Sequence, residues 1–202
     1  MFITLEGCEG VGKSTALSFI SDFLAKHAID VVLTREPGGT DIGESIRNIL
    51  LTETLEPMTP ETELLLLFAA RAQHIAQVVR PALAKGRWVL SDRFTDASFA
   101  YQGGGRGVDM AFIQQLADHV QADTKPDLTL LLDAPVAVGL SRMQQRGKKD
   151  RIEQEDISFF ERVRDVYLAR AKAAPNRFVI IDASQDLANV QADLARALKE
   201  IV

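Results

Sequence analysis

Apolar residues along this chain fall into two rhythms. Short, almost unbroken runs of aliphatic and β-branched residues occupy positions 2–6, 30–34, 87–91, 128–132 and 177–181. Such runs suit strands covered on both faces, because a strand with one wet face alternates apolar with polar positions. Between them, apolar positions recur at helical spacing and predict helices over 13–27, 41–51, 60–84, 109–122, 135–146, 156–174 and 185–200. Start signals agree with these bounds: Thr59-Pro60 sets a proline at a first helical position, and Ser184 offers a cap before the last helix. Strands joined by helical crossovers give an α/β protein, a five-stranded parallel sheet with helices on both faces. No linker or repeat interrupts the pattern, so a single domain is expected over residues 1–202. The glycine-dense stretch 103–107 reads as an exposed, adaptable connection.

The first strand runs into Gly7-Cys8-Glu9-Gly10-Val11-Gly12-Lys13-Ser14-Thr15, where a helix begins. Gly-x-x-x-x-Gly-Lys-Ser between a strand and a helix is a phosphate cradle. Its glycines let the loop wrap an anion with inward N–H groups, and the helix adds the positive end of its dipole. Lys13 is expected to reach the β- and γ-phosphates of a nucleoside triphosphate, and Ser14 to offer its hydroxyl to Mg²⁺. Cys8 lies in the loop, but phosphoryl transfer needs no thiol, so it is read as a tolerated loop residue.

Ligands of open α/β sheets lie beyond the carboxyl ends of the strands. Polar clusters follow all five here: the cradle, then Arg35-Glu36-Pro37-Gly38-Gly39, Asp92-Arg93, Asp133 and Asp182-Ala183-Ser184. Asp92 ends its strand as a Mg²⁺-holding acid does, and Arg93 offers a planar fork for an acceptor phosphate. Thr124-Lys125-Pro126-Asp127 fits the guanine-specifying pattern of GTPases, yet it precedes a strand rather than following one, so that reading fails.

Composition narrows the classes. One cysteine and three histidines without metal-ligand spacing argue against disulfide and metal-cluster chemistry. A net charge of −5 argues against general nucleic-acid binding. No run approaches the ~20 apolar residues of a membrane helix, and no signal segment precedes the first strand, so a cytoplasmic protein is expected. Locally the balance reverses: Arg142, Arg146, Lys148, Lys149 and Arg151 put five positive charges into ten residues.

Four segments, in order and spacing, resemble the bacterial thymidylate kinases over essentially the whole chain: Gly7 to Thr15, Thr34 to Thr40, Asp92 to Arg106, and Asp150-Arg151-Ile152-Glu153. The resemblance implies a P-loop nucleotide kinase fold with a small lid at about 142–156, and the reaction ATP + dTMP → ADP + dTDP by direct in-line transfer. It also implies Mg²⁺ and a cytoplasmic homodimer with no nucleic-acid or membrane partner. ATP falls to Gly7 through Thr15, with Arg142 a further contact, and Mg²⁺ to Ser14 and Asp92. For dTMP, Glu9 is similar to the P-loop carboxylate that meets the acceptor's sugar, Arg35-Glu36-Pro37 to a strand-end element lining the monophosphate site, and Arg93 to the phosphate clamp. Arg71, Ser98 and Gln102 match positions near the base. Many relatives carry an aromatic residue four before that arginine; here Leu67 stands there, and neighbouring Phe68 either stacks on the base or belongs to the core. The loop 8–11 lacks the arginine that some relatives carry, so the chain resembles the members that supply it from the lid. Lys13, Asp92 and Arg93, with Arg146 or Arg151 from the lid, are then the catalytic candidates.

Overall fold

The computed structural model describes residues 1–53, 55–144 and 150–202. Five strands, β1 (Phe2–Glu6), β2 (Val31–Arg35), β3 (Trp88–Asp92), β4 (Leu128–Asp133) and β5 (Phe178–Asp182), pair in the order β2-β3-β1-β4-β5, all parallel. All five residues of β1 are buried. Its neighbours in sequence join different apolar clusters: Phe2 packs with Val89, Ile75 and Val79, whereas Ile3 and Leu5 pack with Leu90, Leu130, Ile20 and Leu194. Successive strand side chains point to opposite faces, so the two clusters are the two sides of a covered sheet. Each fully buried side chain of this kind stabilises the fold by about 1.5–3 kcal/mol. Because β2 and β3 lie on one side of β1 and β4 and β5 on the other, strand order reverses at β1, and the crevice there opens at the end of β1.

Nine α-helices are assigned among the described residues: α1 (Lys13–Lys26), α2 (Asp41–Leu51), α3 (Pro60–His74), α4 (Arg80–Ala84), α5 (Thr95–Ser98), α6 (Met110–Gln121), α7 (Val136–Gln144), α8 (Ile157–Ala173) and α9 (Leu187–Lys199). Pro60 opens α3 as expected, and Thr59 caps it, its hydroxyl accepting from Thr62 N at 3.2 Å. The long helix expected over 60–84 is α3 and α4 joined by a π-helical turn, Ile75–Val79. The cap of α9 falls on Asp186, which accepts from Asn189 N at 2.9 Å, while Ser184 bonds back to Asp182. Asp127, of the GTPase-like pattern, accepts from Phe2 N at 2.6 Å and so pins the start of β1 at the edge far from the crevice.

The glycine stretch corrects its expectation. Phe99–Gly105 is a π-helical turn packed on α8, and Gly103 is buried. A Cβ on Gly104 would come within 2.8 Å of the Arg162 carbonyl oxygen, so the absence of a side chain lets the two elements approach. Arg162 in turn donates to the Gly104 and Gly105 carbonyls at 3.2 and 3.1 Å, satisfying acceptors that the π turn leaves free. Residues 145–149, with Arg146, Lys148 and Lys149, lie outside the described residues.

Candidate active site

The loop after β1 turns into α1 through left-handed backbone at Gly10 (φ 72°) and Gly12 (φ 92°). Gly12 caps α1 without any side-chain hydrogen bond, which leaves the first amides of the helix to an anion. Lys13 lies back along the loop, its Nζ donating to the carbonyls of Gly7 (3.0 Å) and Cys8 (2.9 Å). Burial, and then the Arg93 charge, hold its ammonium below the usual lysine range. The Cys8 thiol is buried, and burial with the Glu9 charge pushes it up to about 12, so it is inert as a nucleophile.

β3 ends at Asp92, and Arg93 then adopts φ 68°, a left-handed conformation unusual for a residue with a side chain. Three hydrogen bonds hold this turn. Arg93 N donates to Leu5 O (2.9 Å), Ser91 Oγ donates to Arg93 O (2.7 Å), and Phe94 N donates to Glu6 Oε1 (2.8 Å). The turn aims the guanidinium at the cradle: Arg93 Nη2 donates to Glu9 Oε1 at 2.5 Å and to the Tyr101 hydroxyl at 2.7 Å, while that hydroxyl donates to Glu9 Oε2 at 2.6 Å. Burial opposes the Arg93 charge, but Tyr101 and Glu9 outweigh it and raise its pKa well above the usual value. Burial likewise opposes the Glu9 charge, and Arg93 with Lys13 outweighs it, keeping the carboxyl below its usual range. Arg93 Nε is buried without a partner.

Beyond this triad the site widens into a cleft open to solvent. Of the residues expected at dTMP, Glu9, Glu36, Pro37, Arg71, Arg93, Ser98 and Gln102 line it, and so does Arg151. Buried Arg71 donates from Nε to Glu36 Oε2 (2.7 Å) and from Nη2 to Ser98 Oγ (3.0 Å) and the Phe94 carbonyl (3.2 Å); its Nη1 has no partner. His74 Nδ1 donates to the other Glu36 oxygen at 2.8 Å, and its Nε2 shares a hydrogen bond with Thr34 Oγ1 at 2.6 Å. Glu63, also buried, accepts from Gln102 Nε2 (2.8 Å), Arg106 Nε (3.4 Å) and Arg151 Nη2 (2.5 Å). Arg151 also donates to the Leu50 carbonyl at 2.8 Å.

Other expected residues sit elsewhere. Phe68 does not line the cleft: it packs with Leu64, Phe99 and Ile113, its ring 4.5 Å beneath the Arg71 guanidinium, and Leu67 faces the cleft instead. Helical geometry decides this, since adjacent residues on α3 point about 100° apart. Arg35 reaches away, to Glu44 at 2.7 Å, with both side chains about half exposed. Arg142 donates to the Ala183 carbonyl at 2.9 Å, tying α7 to the loop after β5. Asp133 and Asp182 serve the fold, in a two-bond pair with Arg164 and a tight turn at Ser184. Asp92 Oδ1 is buried without a hydrogen-bond partner, so with the Ser14 hydroxyl it supplies hard oxygen donors that fit Mg²⁺.

Sequence reasoning missed Arg47, Glu63, His74 and Tyr101 as parts of this site. Arg47 lines the cleft and donates to the Pro37 carbonyl at 3.0 Å. Burial, then Arg35 and Arg93, lower its pKa. Glu63 had a readable signal, since it stands two helical turns before Arg71 on one face of α3. Tyr101 had a weaker one, its place immediately before Gln102.

The family model described as thymidylate kinase matches residues 5–194. The thymidylate kinase of Ectopseudomonas mendocina is 56% identical over 202 residues, covering 100% of this chain and 96% of that protein. That of Teredinibacter turnerae is 57% identical over 198 residues, covering 98% and 97%. The crystal structure of thymidylate kinase from Ehrlichia chaffeensis superposes with a TM-score of 0.81 at 35% identity, covering 98% of each chain. With the cradle, the strand-end arginine and the cleft at the carboxyl ends of the strands, and with identity of this extent over the full length, the chain belongs to the thymidylate kinase family.

Proposed function

We infer that the chain transfers the γ-phosphoryl group of ATP to dTMP, giving ADP and dTDP on the route to dTTP. The observation that carries this reading is the single cleft in which Glu9, Arg93 and Tyr101 join the phosphate cradle to a floor of buried polar groups around Arg71 and Gln102. A binding switch with no small acceptor would not need that floor.

The chemistry asks little covalent work of the protein. The transition state is loose and spreads charge over phosphoryl oxygens, so alignment and preformed positive charge supply most of the acceleration. The amides of 7–15 and Lys13 hold the donor's phosphates. Arg93, whose Nε is free and buried, holds the acceptor's phosphate in line with them. Glu9 fixes Arg93 and meets the acceptor's sugar, and Glu36 with Pro37 lines the same wall. Ser14 and Asp92 would hold Mg²⁺, which neutralises phosphate charge when bound. Arg146 and Arg151 are the candidates for an arginine supplied from a lid at 142–156, and Arg142 for an ATP contact. We further propose that the active species is a cytoplasmic homodimer with one such domain per chain.

The test is ADP formation with dTMP, dUMP, dCMP, AMP and GMP as acceptors. Turnover well above ATP hydrolysis with dTMP alone or best is expected. A rate that dTMP leaves unchanged would sink the assignment.

A further inference from the structure

Resting on the dTMP kinase reading, we propose that Glu63 is a specificity-determining positioning residue: it dictates which end of the Gln102 amide faces the cleft, and thereby selects thymine over cytosine. Glu63 is 2% exposed and Gln102 4% exposed. A carboxylate set between two guanidiniums, those of Arg106 and Arg151, can only accept hydrogen bonds. The Gln102 amide must therefore turn its NH₂ toward Glu63, as the 2.8 Å contact records. Its carbonyl oxygen is left on the other side, without a partner among the described residues, on a side chain that lines the cleft. Arg71 lines the same cleft, and its Nη1 is buried, unpartnered and able only to donate.

An acceptor and a donor offered within one cleft complement one pyrimidine edge. Thymine and uracil present N3–H and a carbonyl oxygen, whereas cytosine presents a bare N3 and an NH₂ group, which would set acceptor against acceptor and donor against donor. A buried polar group left unpaired in this way discriminates far more strongly than a change in size. Were the amide reversed, its NH₂ would suit cytosine N3. Glu63 removes that alternative. The two arginines are themselves fixed: Arg151 donates to the Leu50 carbonyl at 2.8 Å and Arg106 to Glu155 at 2.6 Å.

The experiment compares kcat/KM for dTMP, dUMP and dCMP in the wild-type chain and in Glu63→Gln. An amide at 63 can donate as well as accept, so the Gln102 amide is free to reverse. The expected result is a dTMP-to-dCMP preference reduced by at least about tenfold through KM, with the dTMP-to-dUMP preference kept, because both bases share the same edge. The double variant Glu63→Gln, Gln102→Glu reverses donor and acceptor within the pair, again turns an oxygen to the cleft, and is expected to recover the preference. A folded Glu63→Gln whose dTMP-to-dCMP preference stays within about twofold of wild type, or equal losses on all three acceptors, would overturn the proposal. If Glu63→Gln does not fold, Glu63→Asp decides by the same two results, since it keeps the charge but is one methylene too short to hold Gln102. A wild-type chain inert toward dTMP is a different failure, that of the kinase reading itself.

Discussion

Arg93, the proposed clamp on the acceptor phosphate, reaches Glu9 and Tyr101 from a backbone position that costs on the order of 1–3 kcal/mol in a residue with a side chain. The cost is offset by Leu5, Ser91 and Glu6, which bond both peptide groups of the turn. Arg93→Ala is expected to lower kcat/KM for dTMP by roughly 10²–10³-fold while ATP affinity is kept, measured by titrating each ligand separately. Lysine is expected to rescue little, because an ammonium that meets Glu9 and Tyr101 in place of Nη2 lacks the further nitrogens, the unpartnered Nε among them, that the planar fork keeps for a phosphate. Glu6 leads to a pH prediction. Burial, and then the Asp96 charge, raise its carboxyl from 4.5 to about 8, against the hydrogen bonds from Tyr167 and Phe94 and the charge of Arg93. Between those values the folded chain keeps a proton that the unfolded chain has lost, so this group makes stability fall as pH rises, by at most about 1.4 kcal/mol per unit. Glu6→Gln removes that dependence. Urea denaturation at pH 5 and pH 8 is expected to find the variant gaining on wild type at the higher pH, and a constant difference would refute it. The sequence marks Arg93 by its place after a strand, but says nothing of its strained turn, which exists only because Glu6 and Ser91 lie under it.

Among the elements, the π turn Phe99–Gly105 shows how a local signal is overruled. Three consecutive glycines read as a loose connection, yet here they let α8 pack directly against the backbone, while Gln102 of the same turn lines the cleft. Gly104→Ala is expected to destabilise the protein by about 1–3 kcal/mol, since its Cβ would lie 2.8 Å from the Arg162 carbonyl oxygen and 2.7 Å from Val166 Cγ2. Chemical denaturation checks this, and unchanged stability would mean that the two elements separate at no cost. The helix α3 is the converse case. Its apolar period was readable, and the same period aligns Glu63, Arg71 and His74 on one side, so one helix supplies both core side chains such as Phe68 and the buried polar network of the cleft.

For the molecule as a whole, the expectation is linkage between acceptor and fold. dTMP touches α3, the 92–102 region and the 36–37 strand end at once in this reading, so at 100 times its dissociation constant it is expected to stabilise the folded chain by about 2.7 kcal/mol. A thermal melt with dTMP against one with dCMP measures it, and equal shifts would count against a specific acceptor cleft. Five parallel strands, the phosphate cradle and the polar residues that follow each strand were all readable before any coordinates. Those are local signals: an apolar run, a glycine spacing or a polar residue after a strand acts through neighbours in the chain. The partners of Glu9, Glu63 and Arg71 were not readable, because they lie far along the chain, with Glu9 and Tyr101 92 positions apart and Glu63 and Arg151 88. Which strand-end acids line a cleft and which brace the fold, whether Leu67 or Phe68 faces the cleft, and which way the Gln102 amide points depend on surfaces meeting across the sheet, and only the folded chain brings those surfaces together.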